Sequence, residues 1–407
     1  MNVIFLTINS SFKLNDRGIY QDLLRHFRNQ GHTVFIAKIG TADESDVENV
    51  DGATVLNVRT PSLKNANLIK KGIATLLVEY NFTRALKKHF SHVNFDLILY
   101  GTPPITYVRS IKLLKKKSPN ALSYLLLKDI YPQNAVDMGM FSSKGLIHAY
   151  FRQKEKALYK VSDKIGCMSP ANVTYLLKHN PELNKQDVEV APNSVELTTS
   201  NRIESQKAVR EHFKLPTDRP ILIYGGNLGV PQGIDFLIKC LENNGGRNDC
   251  FFLIVGDGTE YAKLKRWFDE QKPTNARLIK RLPKEEYDRL VQSCDIGLIF
   301  LDHRFTLPNY PSRLLSYLEY SMPIIAATDP NTDIGKNAEE NNYGLWCESN
   351  DVDAFTDCVN QLVSSPEKMR EMGANGKAFL EKNYLVEHTY QSIIKHIQKV
   401  QYVQTFF

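Results

Sequence analysis

The sequence predicts an α/β protein of two doubly wound domains, and three observations support that fold class. At 407 residues the chain is longer than one ordinary hydrophobic core requires. Short apolar runs alternate with helical patterns in both halves, as they do in βαβ units. Glycine-rich loops follow the apolar runs that end at Tyr224 and Val255, and parallel sheets bind ligands at such loops. We therefore expect two Rossmann-like domains that face a cleft.

The composition argues against a disulfide framework, a signal peptide and a membrane span. Hydrophobic residues make up 42% of the chain and charged residues 24%, as in soluble globular proteins. The six cysteines form no C-x-x-C pair, which favours buried thiols in a reducing cytosol. The first residues lack the basic segment of a signal peptide, and no apolar run reaches the roughly 18 residues of a spanning helix. We expect a cytoplasmic protein.

Positive charge is concentrated in the first half. Residues 1–190 carry 26 Lys and Arg against 16 Asp and Glu, a net charge of +10, and the rest of the chain carries −4. This distribution favours an anionic partner, such as lipid headgroups, a diphosphate-linked acceptor or nucleic acid. The alternative is a solvated positive face. No nucleic-acid-binding motif accompanies the charge.

The first βαβ unit places a polar loop at the carboxyl end of its first strand. Val3–Thr7 and Thr33–Ala37 are predicted strands, and Ile19–Gln30 has helical spacing. The loop between the first strand and the helix holds one glycine, which argues against a dinucleotide fingerprint. Its candidate binding residues are Asn9, Arg17 and Gly18.

A predicted helix over Leu68–Phe90 combines apolar residues with basic ones. Apolar side chains flanked by lysines are typical of a helix that lies among anionic lipid headgroups. The same pattern fits an ordinary helix that faces the core and has a basic outer side. Both interpretations stay open on the sequence alone.

The loop after the predicted central strand Leu122–Leu127 carries polar groups suited to catalysis. Asp129, Tyr131 and Asn134 supply a carboxylate, a phenol and an amide at the carboxyl edge of the sheet. A carboxylate there can orient an acceptor hydroxyl or take its proton. Alternatively, Asp129 caps the helix that follows Pro132.

The second half repeats this organisation after a hinge at Pro192-Asn193-Ser194. The predicted strands are Ile221–Tyr224, Phe251–Val255, Arg277–Lys280, Ile296–Phe300 and Pro323–Ala326. Glycine loops and a helix that starts after Pro311 place N–H groups and positive helix ends where a phosphorylated ligand can bind.

Several short motifs occur in a fixed order along this half. They are Pro192-Asn193, Gly225-Gly226-Asn227 with Gln232-Gly233, Val255-Gly256-Asp257-Gly258, and Pro311-Ser312-Arg313 followed by Pro323-Ile324-Ile325. Together they resemble the family-four retaining glycosyltransferases of GT-B fold, nearest to the bacterial surface-polysaccharide branch that includes N-acetyl-fucosamine transferases. The resemblance implies an acceptor-binding domain over 1–190, a donor-binding domain over 191–380, and a helix over 381–407 that crosses back to the first domain.

The resemblance also implies the site residues. The leaving diphosphate would be stabilised by backbone amides, helix ends and cations rather than a metal. Asp351-Val352-Asp353 matches the letters of a metal motif but is better explained as helix capping. The catalytic candidates are Asp129 and Arg313, although Arg313 also fits a surface cation; Asn9, Arg17, Gly18, Tyr131 and Asn134 lie on the acceptor side. The donor-binding candidates are Gly225, Gly226, Asn227, Gly229, Gly256, Asp257, Gly258, Lys280, Arg281, Leu282, Ser312 and Ser316.

Two departures from the family pattern bear on this site. Many relatives carry an Arg and a Lys in the first glycine loop, where this chain has Asn227 and Gln232. Lys280 or Arg281, with Arg313, are the candidates to compensate. The two family glutamates align with Pro308 and Ser316.

The expected activity is transfer of an N-acetylated amino sugar, such as N-acetyl-fucosamine, from a UDP-sugar to a polyprenyl-diphosphate-linked acceptor. No cofactor or metal is expected. The resemblance implies a role in capsule or other surface-polysaccharide synthesis at the inner face of the bacterial membrane. Expected partners are the nucleotide-sugar donor, the lipid-linked saccharide acceptor, an anionic membrane surface and other polysaccharide-assembly enzymes, but no nucleic acid. The alternatives are a non-catalytic GT-B partner subunit and a GT-B nucleotide-sugar epimerase.

Overall fold

The chain divides into two compact units. The computed structural model describes residues 1–40, 44–60, 68–197 and 205–405. The first unit comprises Met1–Glu196 and Val386–Phe407, and the second comprises Leu197–Leu385. Each unit is an α/β layer structure built on its own sheet.

The first unit contains an eight-stranded sheet. Its strands are β1 (Asn2–Leu6), β2 (Thr33–Gly40), β3 (Asp46–Val50), β4 (Ala53–Arg59), β5 (Leu97–Gly101), β6 (Leu122–Leu127), β7 (Lys164–Cys167) and β8 (Val188–Val190). Its helices are α1 (Ile19–Asn29), α2 (Leu68–His89), α3 (Val108–Lys117), α4 (Gln133–Asp137), α5 (Leu146–Val161) and α6 (Pro170–His179). The strand order is β3-β4-β2-β1-β5-β6-β7-β8, and each described pairing is parallel except that of β3 with β4.

The second unit contains a six-stranded parallel sheet. Its strands are β9 (Ile221–Asn227), β10 (Phe251–Asp257), β11 (Ala276–Lys280), β12 (Ile296–Phe300), β13 (Ile324–Thr328) and β14 (Gly344–Glu348), in the order β11-β10-β9-β12-β13-β14. Its helices are α7 (Gln206–His212), α8 (Ile234–Asn243), α9 (Tyr261–Gln271), α10 (Lys284–Gln292), α11 (Arg313–Glu319), α12 (Ile334–Glu340), α13 (Val352–Val363) and α14 (Pro366–Asn383).

The central strands are buried because helices cover both faces of each sheet. All residues of β5, β6, β12 and β13 are buried, which explains their continuous apolar runs. The predicted fold class, two Rossmann-like α/β domains, is therefore confirmed.

The last helix, α15 (Val386–Thr405), belongs to the first unit. Its Ile393 and Ile397 lie in the same buried cluster as Phe27 of α1. The Tyr390 hydroxyl lies 2.9 Å from Nε2 of His32, and the N–H of Val386 donates to the carbonyl of Val195 at 3.0 Å. The chain end thus completes the core of the unit in which the chain begins.

Three predictions about single segments have direct outcomes. Asp351 caps α13, because its carboxylate accepts the N–H of Ala354 at 2.9 Å. All six cysteines are buried and unpaired, as expected. The sequence predicts a helix over Gly376–Tyr384, and the observed helix, α14, begins ten residues earlier, at Pro366. Gly373 lies inside that helix. Glycine is required there because a Cβ would overlap the carbonyl oxygen of Ser321.

Helix α2 faces the core over its described side chains. Val78, Phe82 and Leu86 are buried, whereas Leu77 and Tyr80 are exposed. The side chains of residues 68–76, which contain much of the predicted interfacial pattern, lie outside the described residues. Among the described residues, no helix is both long and apolar enough to cross a membrane.

Candidate functional site

The sheet of the second unit has a topological switch point between β9 and β12. The chain proceeds from β9 to β10 and β11 on one side, and β12 then joins the other side of β9. Doubly wound sheets bind ligands in the crevice outside the carboxyl ends of such strands. The two strands pair only at Leu222 and Ile223 within the described register. The crevice therefore opens at residues 225–227.

Tyr317 of α11 closes the base of this crevice. Its hydroxyl accepts the N–H of Gly225 at 3.1 Å and donates to the carbonyl of Ile223 at 3.2 Å. These bonds stand in for the ladder that β9 and β12 no longer share, because buried backbone groups need partners. A buried phenol from α11 thus fixes the end of β9.

Two glycines let side chains approach the end of β9. A Cβ on Gly225 would overlap the hydroxyl of Tyr287, which comes from α10. Gly226 has φ +125, a conformation that favours glycine, and a Cβ there would lie 3.5 Å from Nη2 of Arg313. The predicted glycine loop therefore lies directly against the predicted cation.

Arg313 is half-buried and lacks the counter-charge that a shielded guanidinium usually has. Its guanidinium carbon lies 4.3 Å from the centroid of the Tyr224 ring, within the range of a cation–π contact. Its Nη1 is buried without a hydrogen-bond partner, and no carboxylate in the described ranges forms an ion pair with it. Buried donors are nearly always satisfied, so an open donor at a ligand crevice points to an anionic ligand.

The other predicted glycines pack two loops against each other. A Cβ on Gly256 would overlap the carbonyl oxygen of Gly226, and one on Gly258 would overlap that of Leu228. The N–H of Leu228 also donates to the carbonyl of Asp257 at 2.9 Å. These glycines act first in loop packing, which holds the backbone of the crevice in place.

The polar residues of the first loop bind each other. Nδ2 of Asn227 donates to Oε1 of Gln232 at 2.9 Å, and the N–H of Gly229 donates to the same oxygen at 3.2 Å. These are the positions where the family resemblance implies an Arg and a Lys. The neutral pair braces the loop and adds no charge to it.

The remaining donor-side candidates lie around this cluster. Nζ of Lys280, at the end of β11, is 4.0 Å from Oδ2 of Asp257, and both side chains are exposed. Arg281 and Leu282 lie in the loop that follows Lys280 and have no described contact with the Arg313 cluster. Ser312 is exposed and makes no capping bond, whereas Ser316 is half-buried one turn after Arg313.

The first unit has its own switch point, between β1 and β5. Tyr20 of α1 lies there, since a Cβ on Gly101 would overlap its hydroxyl. Burial and the negative charge of Asp129 raise the pKa of Tyr20. Asp129 follows β6, the neighbour of β5, so the phenol and the carboxylate share one edge of the sheet.

Hydrogen bonds hold both the main chain and the side chain of Asp129. Oγ1 of Thr102 accepts the N–H groups of Lys128 and Asp129, each at 3.1 Å. Nδ2 of Asn134 donates to Oδ1 of Asp129 at 2.7 Å, and the amide oxygen of Asn134 is buried without a partner in the described chain. Burial raises the pKa of Asp129 to about 6. The capping alternative for Asp129 is wrong, because α4 has no side-chain cap.

Lys128, which directly precedes Asp129 in the sequence, is half-buried. Its Nζ donates to the carbonyl of Ala191 at 3.0 Å, and burial lowers its pKa to about 7. The other acceptor-side candidates make local contacts. Asn9 accepts the N–H of Ser11 at 3.0 Å, and the N–H of Gly18 donates to Asp22. Arg17 is half-buried, and the Tyr131 ring packs 5.0 Å from that of Phe151.

Sequence reasoning missed the aromatic residues that shape both sites. Tyr20, Tyr224, Tyr287 and Tyr317 lie on helices or strands at positions that read as core. The sequence signal for two of these rings is the glycine that packs against each of them. Gly101 leaves room for the phenol of Tyr20, and Gly225 leaves room for that of Tyr287.

Part of the chain is similar to known protein families and relatives. Residues 205–379 match the family model described as Glycosyl transferases group 1. The chain is 21% identical over 339 residues to the probable glycosyltransferase WbjE of Pseudomonas aeruginosa, covering 80% of this chain and 79% of that protein. It is 24% identical over 165 residues to the putative colanic acid biosynthesis glycosyl transferase WcaI of Escherichia coli (strain K12), covering 39% of each.

Solved structures share the fold over nearly the whole chain. Sucrose-phosphate synthase from Thermosynechococcus elongatus has a TM-score of 0.77 at 14% identity and covers 99% of both chains. HepE from Anabaena, in complex with UDP-glucose, has a TM-score of 0.69 at 14% identity and covers 98% of this chain and 100% of its own. The protein thus has the GT-B fold, and its residues 205–379 match the family model of the glycosyl transferases group 1.

Proposed function

We propose that the protein is a retaining glycosyltransferase of surface-polysaccharide synthesis. It moves an N-acetylated amino sugar, such as N-acetyl-fucosamine, from UDP to a polyprenyl-diphosphate-linked acceptor at the cytoplasmic face of the membrane. The relatives WbjE and WcaI, the latter described as a colanic acid enzyme, support the pathway class. The UDP-glucose complex of HepE supports a UDP-sugar donor.

The open guanidinium of Arg313 is the observation that carries this proposal. It lies under Gly226 at the switch point of the group 1 domain, with a buried donor and no carboxylate partner in the described chain. A fork of N–H donors matches two phosphate oxygens, and the charge compensates the negative charge that develops on the leaving diphosphate. A cation with an unpartnered buried donor suits a diphosphate ligand better than a purely structural role.

The chemistry requires no protein nucleophile. The bond from the anomeric carbon to the diphosphate oxygen breaks, the acceptor oxygen bonds to that carbon from the same face, and the proton of the acceptor hydroxyl passes to the departing diphosphate. Charge develops mainly on the leaving diphosphate, so Arg313 and the backbone N–H groups of the glycine loop supply most of the stabilisation. Metal independence stays a prediction that EDTA tests.

Asp129 and Asn134 are the candidates for the acceptor hydroxyl. The carboxylate of Asp129 can accept a hydrogen bond from that hydroxyl, and its pKa of about 6 keeps it ionised near neutral pH. The unpartnered amide oxygen of Asn134 offers a second acceptor for a sugar hydroxyl. Thr102 holds the main chain of Asp129, and Nδ2 of Asn134 donates to Oδ1 of Asp129.

The proposal is tested by incubating the purified protein with a panel of UDP-sugars and polyprenyl-diphosphate-linked acceptors. We expect transfer from a UDP-amino sugar that persists in EDTA, and NMR of the product should show that the anomeric configuration is retained. Absence of both transfer and donor hydrolysis across the panel would contradict the proposal and favour a non-catalytic subunit. Conversion of the donor alone into an epimer would instead identify an epimerase.

A further inference from the structure

The segment from Gly139 to Tyr150 in the first unit presents large apolar side chains to solvent. Leu146 is 91% exposed, Met140 67% and Ile147 58%, the three highest values among the exposed large apolar residues described. Tyr150 follows one turn after Leu146 on α5 and is 39% exposed. We refer to Met140, Leu146, Ile147 and Tyr150 as the apolar tip. Several apolar side chains so close together in an exposed segment indicate an interaction surface.

An aromatic cluster supports the base of the tip. The rings of Tyr131 and Phe151 are 5.0 Å apart, and the Phe141 ring lies 6.3 Å from each of them. Phe141 directly follows Met140, and Phe151 directly follows Tyr150. The tip is therefore anchored on both sides, and its exposed residues project from a packed base.

The charges around the tip are positive. Residues 138–160 contain five Lys and Arg and a single acid, Glu155. Glu155 is buried, and its carboxylate binds Arg152 and the hydroxyl of Tyr159. Lys144 is exposed within the tip segment, and Nζ of Lys154 lies 5.7 Å from the centroid of the Tyr150 ring. Lys156 pairs with Glu182 at 3.0 Å, and Nζ of Lys154 lies 3.8 Å from Oε2 of Glu79, so Lys144 is the cation nearest the exposed apolar residues in the chain. The tip thus combines projecting apolar side chains with a basic rim that is only partly neutralised.

We infer that the apolar tip inserts into an anionic lipid bilayer surface. Projecting leucine and isoleucine side chains fit the acyl boundary, a tyrosine fits the headgroup level, and lysines attract anionic lipids. The inference rests in part on the proposed function, because an acceptor with a lipid anchor lies at the same membrane surface. Tyr131, in the base of the tip, is two residues from Asp129, so the ring cluster that supports the tip includes a residue of the candidate acceptor loop.

Flotation of the full-length protein with vesicles tests the inference. Vesicles of phosphatidylethanolamine and phosphatidylglycerol are compared with vesicles of phosphatidylcholine alone. We expect L146E/I147E to weaken binding to the anionic vesicles by about tenfold or more, because two apolar side chains no longer leave water. The matched control is V47E/V50E, which makes the same change at exposed positions of β3, 42% and 38% exposed, and should bind as the wild type does.

A site-specific probe provides a second measurement. Because the six native cysteines are buried, a single exposed cysteine can be labelled with a polarity-sensitive dye. The dye at Leu146→Cys should shift to the blue on anionic vesicles, whereas the dye at Val47→Cys should not. No shift at Leu146→Cys, equal binding to phosphatidylcholine vesicles, or a dimer that L146E/I147E abolishes would each overturn the inference. UDP binding and transfer to a water-soluble acceptor analogue are measured on the same variants, so failure of the proposed function is detected separately.

Discussion

Replacing Arg313 by alanine separates a ligand-binding role from a structural role. The guanidinium stacks on Tyr224, and its Nη1 has no protein partner in the described chain. The loss of a preorganised charged donor to the leaving group costs about 3–4 kcal/mol of transition-state stabilisation, or about 10²–10³ in kcat. We expect UDP binding to weaken as well, since charge-assisted bonds to the ground-state diphosphate also disappear.

The same substitution should leave folding almost unchanged. Loss of the cation–π contact costs about 0.5–2 kcal/mol. The guanidinium is shielded from solvent and has no counter-charge, so its presence in the folded state costs desolvation free energy. Its removal recovers that free energy, which is similar in size to the lost cation–π contact. The free energy of unfolding of Arg313→Ala should therefore stay within about 1 kcal/mol of the wild type. Arg313→Lys keeps the charge but loses the planar fork, so its activity should lie between the two.

Arg210 is the matched control, because it is a buried arginine of the same unit with a partner. Its Nη2 lies 2.6 Å from Oδ2 of Asp295, and its Nε donates to the carbonyl of Ser293 at 2.8 Å. Arg210→Ala leaves Asp295 without its ion-pair partner and should cost about 3 kcal/mol of stability. Calorimetric UDP titration, transfer assays and denaturant unfolding are compared for both variants. The reasoning about Arg313 is refuted if Arg313→Ala keeps UDP affinity and kcat within about threefold, or if it loses as much stability as Arg210→Ala.

Three further outcomes follow from individual contacts. Tyr317→Phe leaves the N–H of Gly225 without its acceptor, so unfolding in urea should show a loss of about 1–3 kcal/mol. If Asp129 handles the acceptor hydroxyl, kcat/KM should fall as the pH drops through about 6, where its carboxyl becomes protonated; Asp129→Asn should be slow and lack this limb, and an unchanged limb would point to another group. Burial lowers the pKa of Lys128 to about 7, so the unfolded state binds more protons than the native state between that pH and the ordinary lysine pKa of 10.5. Wild-type stability should therefore rise over that range, and denaturation of Lys128→Met across the same pH values should show no such rise.

The fold was predictable because burial on both faces makes parallel strands read as continuous apolar runs. Each predicted central strand, such as Leu122–Leu127, has no alternation of polar residues and is buried throughout. The β3–β4 hairpin was not predicted. All residues of β3 are exposed, so its sequence carries no burial pattern. Helix α5 was also missed, since its first turn is apolar yet exposed.

The candidate site was only partly predictable, because sequence order does not show what lies opposite a glycine. Gly225 and Gly226 were expected to face a ligand directly. The structure adds Tyr287 against the first and Arg313 against the second. Gly256 and Gly258 pack the two loops together, a role that depends on the approach of β9 to β10. The spacing of glycines predicts close approach, but not the partner in that approach.

The neutral loop explains why Arg313 should matter more here than the family pattern suggests. The resemblance implies two cations in the first glycine loop, but Asn227 and Gln232 bind each other and brace that loop. Lys280 lies near Asp257 and is exposed, so the pair contributes little net charge and is screened by salt. The shielded guanidinium of Arg313 is then the principal fixed positive charge described at the crevice. Because shielded charges are screened less than exposed ones, the diphosphate should be held mainly by one cation and backbone N–H groups, and its affinity should depend only weakly on ionic strength.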